Sequence, residues 1–121
     1  MVYKGDNFLN SKKCIECQLH SDTKIYISEI NLNRQGNNKR WLLNHGKYFL
    51  VDKCCRNEIL WLLNKGVQTV NCCCGHSDNI PICIIRNESV ELAKKLGYQI
   101  LDNIDFVNKD TMSIIRLKFK K

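Results

Sequence analysis

Eight cysteines are the residues of this chain best suited to chemistry, and their spacing is that of metal ligation. Cys14 and Cys17 stand two residues apart. That spacing lets one turn direct both sulfurs at a single tetrahedral zinc ion, which makes the pair half a site. The other half is expected from Cys54-Cys55 or from Cys72-Cys73-Cys74-Gly75-His76. A helix expected to begin at Cys54 would lower a thiol pKa through its unpaired amides, so Cys54 or Cys55 is expected as a thiolate. Successive side chains on a strand point to opposite faces, which puts Cys72 with Cys74 and Cys73 against them. Gly75 frees the backbone to bend just beyond. The expected ligands are Cys14, Cys17, Cys54 and Cys74, with His76 able to replace one of them. Cys73 competes with Cys74, since a register error of one residue inverts the argument. His20 is a lesser local alternative. Cys83, in the string Ile80-Pro81-Ile82-Cys83-Ile84-Ile85, reads as a small buried hydrophobe.

Zinc is preferred to disulfides because the chain reads as cytoplasmic, where thiols stay reduced. The first residues, MVYKGDNFLN, lack a basic-then-apolar signal pattern. No apolar run approaches the roughly 18–20 residues of a membrane span, so no membrane partner is expected.

Nineteen lysines and arginines against twelve acids give a formal charge of +7, which favours anionic partners. Candidate ligand contacts are Arg40, His45 and Lys47 around a turn, and Arg56 near the amide-rich start of a helix. Trp41 is available to stack on a base, whereas Trp61 is expected in the core. The partner is expected to be a nucleotide or a host defence protein. Nucleic acid is possible, but no arginine-rich run interleaved with aromatics marks a platform for it. A catalytic alternative makes Cys73 or Cys74 a nucleophile with His76 or His45 as base, in a cysteine- or zinc-dependent enzyme acting on a nucleotide or RNA. It competes with the metal for the same thiols. Glu58 is the general base an open zinc site would use, though no spacing demands one. The deaminase pattern His-x-Glu with Pro-Cys-x-x-Cys is absent. A non-enzymatic binding module is the leading expectation.

These residues must be positioned by one domain spanning 1–121, the length of a typical domain, with a zinc-held N-terminal loop over 1–22 and an α+β core over 23–121. Apolar spacing predicts a strand over 23–32 and a turn over 35–38. Residues 40–43 and 47–51 read as a short hairpin, or a pair of extended segments, about Asn44-His45-Gly46. A helix is expected from 53 or 54 to 65, capped by Asp52 and stopped by Gly66. Its apolar centre, 59–63, implies burial between layers. Strands over 67–73 and 81–86 flank a loop at 74–79. Asn87 caps a shorter helix ended by Gly97, and strands over 98–101 and 112–119 complete the chain. Helices and strands without a strict βαβ rhythm favour an α+β fold: a small, mostly antiparallel sheet with two helices.

The stretch Arg40-Trp41-Leu42-Leu43-Asn44-His45-Gly46-Lys47, then Val51-Asp52-Lys53-Cys54, then 58–69 and Cys72-Cys73-Cys74-Gly75-His76, resembles a family of small uncharacterised cysteine-rich proteins of Firmicute phages and mobile elements. The likeness covers 40–98, and the Cys-Cys-Cys-Gly-His turn is its specific part. It implies a phage context, in which short accessory proteins counter host defence, and no particular reaction. A weaker, architectural likeness is to methyltransferases of the tRNA wybutosine pathway, which place a helix before a strand ending in a Ser-Cys-Ser-Gly-Arg turn.

Overall fold

The apolar runs become six strands and three α-helices among the described residues, 22–73, 80–101 and 109–118 of a computed structural model. In chain order they are β1 (Asp22–Tyr26), α1 (Asn38–Leu43), β2 (Tyr48–Asp52), α2 (Arg56–Lys65), β3 (Thr69–Cys73), β4 (Ile82–Arg86), α3 (Val90–Lys95), β5 (Ile100–Leu101) and β6 (Met112–Arg116). Short 3-10 turns occupy Ile27–Glu29, Leu32–Arg34, Lys53–Cys55 and Asn87–Ser89. Strands β1 and β2 pair as an antiparallel ribbon, and β3-β4-β6-β5 form a second antiparallel sheet. The fold is α+β with antiparallel sheets, as expected. The loop over 1–22 falls outside the described residues except for Asp22.

Strand β4 organises the larger sheet because Ile82, Cys83, Ile84 and Ile85 are all buried, the signature of a strand covered on both faces. Alternation divides it. Cys83 and Ile85 join Ile115 and Leu117 in the main core with Ile25, Leu42, Val51 and α2. Ile82 and Ile84 meet Ile114, Val70, Leu101 and Met112 on the other face. Helix α2 enters the main core through Ile59, Leu62 and Leu63, a spacing of three and four that lies on one side of a helix. Trp61 falls off that stripe. Contrary to expectation it is 44% exposed, with the Lys65 ammonium 5.5 Å from its ring centre. Gly66 ends α2 at φ 101°, as expected. A Cβ there would lie 3.3 Å from the Arg34 carbonyl as well as in the left-handed region.

Two expected extended segments are not extended. The strand over 23–32 stops at Tyr26, because the Glu29 carboxylate accepts the Tyr26 N–H at 2.9 Å and draws the chain into a 3-10 turn. Residues 40–43 belong to α1, so the hairpin about Asn44-His45-Gly46 is instead a helix leading through a turn into β2. Asn38 and Leu42 are buried while Lys39, Arg40 and Leu43 are exposed, which is helical rather than strand periodicity.

Tertiary hydrogen bonds hold α1 in place. Gln35, wholly buried, donates through Nε2 to the Leu63 carbonyl at 2.7 Å and the Val67 carbonyl at 3.1 Å. Asn38, also wholly buried, donates through Nδ2 to Gln35 Oε1 at 3.0 Å and the Thr69 carbonyl at 3.3 Å. Its own Oδ1 accepts Arg86 Nε at 2.7 Å. Replacing Gln35 with alanine removes three buried hydrogen bonds, and because the Leu63 and Val67 carbonyls keep the Gly66 and Thr69 N–H groups, the cost is about 0.5–1.5 kcal/mol for each bond lost. Chemical denaturation of Gln35→Ala is expected to show a loss of at least about 2 kcal/mol with little change in m; an unchanged midpoint would show that these bonds do not anchor the turn.

Candidate thiol junction and basic face

Four described cysteines carry free thiols: Cys54, Cys55, Cys72 and Cys83. Cys55 ends the 3-10 lead-in to α2 and is wholly buried. Its thiol lies beside that of Cys72 of β3, and Cys72 pairs in register with Cys83 of β4. Cys54 and Cys72, both half-buried, pack against the same core. The helix start and the third strand thus bring thiols together from separate parts of the sequence. The pairing of Cys55 with Cys72 was not singled out from sequence, although strand alternation already separated Cys72 from Cys73.

The neighbouring Cys72 sulfur, followed by burial, pushes the Cys55 thiol far above its usual range. Of the two residues expected as a thiolate, Cys54 or Cys55, this sets Cys55 aside: its side chain turns into the core, where charge is costly. Burial likewise raises Cys83, in keeping with its expected role as a small core residue. Among the described residues, no three His, Cys, Asp or Glu side chains gather into a metal-ligand set. Of the expected zinc ligands only Cys54 is described. Cys14, Cys17, Cys74 and His76 lie outside the described residues, as does His20.

The four basic candidates differ in what already engages them. Arg56 donates through Nη2 to both Glu29 carboxylate oxygens, at 2.8 and 2.6 Å, and through Nε to the Lys24 carbonyl at 2.7 Å. It is a strut between α2 and the ribbon. Arg40 is exposed on α1 and lines a shallow dish of about 670 Å³ with Gly36, Asn37, Lys39, Leu43 and Asn44. His45 follows α1, donates its Nδ1–H to the Trp41 carbonyl at 3.0 Å, and lies edge-on to the Trp41 ring at 4.5 Å. Phe49 is 5.4 Å beyond it. Lys47 is exposed, and its carbonyl accepts the Ile27 N–H at 2.9 Å. Glu58 accepts the Tyr98 hydroxyl at 2.5 Å and the Lys118 N–H at 2.8 and 3.1 Å. That carboxylate ties α2 to the chain beyond β6. Burial first, and Glu58 second, push the Tyr98 phenol well above its usual range.

No family model, no curated protein and no solved structure matches this chain.

Two outcomes follow from these environments. With iodoacetamide at neutral pH and peptide mapping, Cys72 is expected to alkylate in the native protein while Cys55 and Cys83 stay protected until denaturant is added; equal labelling of all three would contradict the burial described. Glu29 is held below its usual value of 4.5 by the Tyr26 N–H and then by Arg56. A depressed carboxylate contributes stability above its unfolded pKa and loses it as pH falls through the folded one. Denaturation of the native chain should therefore weaken more steeply below about pH 4.5 than that of Glu29→Gln. Parallel pH profiles would show that the clamp contributes nothing.

Proposed function

We propose that this chain is a non-enzymatic zinc-holding module that presents a basic face to an anionic ligand. The contact between Cys55 and Cys72 carries the metal part of the reading. Cys54 adjoins the first of these and Cys74 follows the second by two positions. That neighbourhood supports one ion shared between the helix start and Cys74, with Cys14 and Cys17 completing a four-thiolate set and His76 the alternative to one of them. Thiolates are the soft donors zinc takes in closed structural sites. The ion would staple the N-terminal segment to the core, and four thiolates with one zinc ion leave the chain basic.

The ligand is a nucleotide. Charge supports this, as does the aromatic surface of Trp41 and His45 beside Arg40 and Lys47. In the phage setting that the sequence resemblance implies, such a module sequesters a nucleotide signal. The commitment of Glu58 to Tyr98 and Lys118 favours binding over hydrolysis, because the nearest candidate for a general base already serves the fold.

Protein purified without added zinc is expected to carry about one ion per chain. Cys54→Ser should lose it and melt earlier, whereas Cys83→Ala should keep it despite a weaker core. A metal-free, fully folded native protein would end the metal reading. Nucleotides mixed with the protein and recovered after heat denaturation should return unaltered; a cleaved product would favour the enzymatic alternative.

A further inference from the structure

Two half-buried arginines in this fold are treated differently. Arg56 is clamped by Glu29, whereas Arg86, at the end of β4, has no carboxylate partner among the described residues. Taking a guanidinium partly out of water is costly unless its charge is met. Among the described residues the hydrogen-bond partner of its side chain is a neutral group, the Oδ1 of Asn38, which accepts its Nε–H at 2.7 Å. Asn38 is itself immobilised, since its Nδ2 donates to Gln35 Oε1 and to the Thr69 carbonyl. The fold thus spends buried hydrogen bonds on aiming an arginine whose remaining donors, on Nη1 and Nη2, make the planar fork that matches a phosphate.

The Arg86 guanidinium carbon lies 6.0 Å from the centre of the half-buried Trp41 ring. That is the outer limit of cation–π attraction, so Asn38 rather than the ring fixes the arginine. His45 braces Trp41 from the next turn through its Nδ1–H bond and its edge-on ring. On the α1 side the charge is basic, while Glu88 and Asp110 lie beyond the other end of Arg86. Residues 30–51 contain no Asp or Glu, and they carry Arg34, Lys39, Arg40 and Lys47.

We infer that Arg86, aimed by Asn38 and set beside Trp41, is the phosphate-binding centre of a nucleotide site, with Trp41 as the surface on which the base stacks. The assignment rests on the anionic-ligand part of the function proposed above and is independent of the metal. It replaces Arg56, whose Nε and Nη2 are committed, with an arginine whose Nη1 and Nη2 meet no partner among the described residues.

Trp61 is exposed and the chain has two tryptophans, so a Trp61→Phe background makes Trp41 the sole indole reporter. Its fluorescence is titrated with AMP, GMP, CMP and UMP, and with adenosine and inorganic phosphate as the separate halves. At least one nucleotide should quench saturably and bind more tightly than either half. Arg86→Gln should weaken it by about tenfold or more, with zinc content unchanged. Arg86→Lys, which keeps the charge but loses the fork, should also weaken binding, and it decides the matter if circular dichroism shows that Arg86→Gln does not fold. Nucleotide binding that is indifferent to Arg86 overturns this site and leaves the broader reading standing. Absence of quenching by all four nucleotides overturns both.

Discussion

The buried amide pair of Gln35 and Asn38 is the interaction on which the rest of the fold depends. A helix leaves its last carbonyls without intrahelical donors, and such groups cannot be buried unpaired. At the end of α2 the Gly66 and Thr69 N–H groups bond the Leu63 and Val67 carbonyls, Gln35 gives each a second donor, and Asn38 carries the connection on to β3. Two neutral side chains thereby join the longest described helix, the turn before α1 and the larger sheet. Because both are wholly buried, their bonds are shielded from competing water and their geometry is strictly set.

The same pair explains which parts of the fold were legible in the sequence. Strands β4 and β6 announce themselves by their isoleucine runs, and α2 and α3 by the glycines that stop them, because these signals are local. Helix α1 does not. Its segment, Asn38–Leu43, contains Trp41-Leu42-Leu43 beside a turn, a pattern equally open to a strand, and the decision is made by contacts with Thr69 and Arg86, distant in sequence. The shortening of β1 has a similar origin in Glu29, whose partner Arg56 belongs to a different element. Trp61 was misplaced for another reason: an apolar run five residues long exceeds the width of the face a helix can bury.

For the candidate sites, residue types were legible and pairings were not. Cysteine at 54, 55 and 72 is visible in the chain, yet the contact between Cys55 and Cys72 follows from how α2 lies on the sheet. Arg56 stood out because it falls near a helix start, where anions are favoured, but Glu29 occupies it. Arg86 ends an apolar strand and carries no local signal of any kind. Its distinction comes from an asparagine on another element, a relation no spacing rule encodes.

Strands β2 and β3 lie beside one another without joining: the ribbon and the four-stranded sheet are separate, with a cleft of about 30 Å³ between them lined by Phe49, Leu50, Val51, Ile59, Thr69, Val70, Asn71 and Cys72. A volume of that order admits about one water molecule. The two sheets therefore meet along a seam bridged by side chains instead of a ladder, and small sliding movements there need break no strand pairing. The Cys72 thiol lies on that seam, so any shear between the sheets would be felt first at the thiol junction.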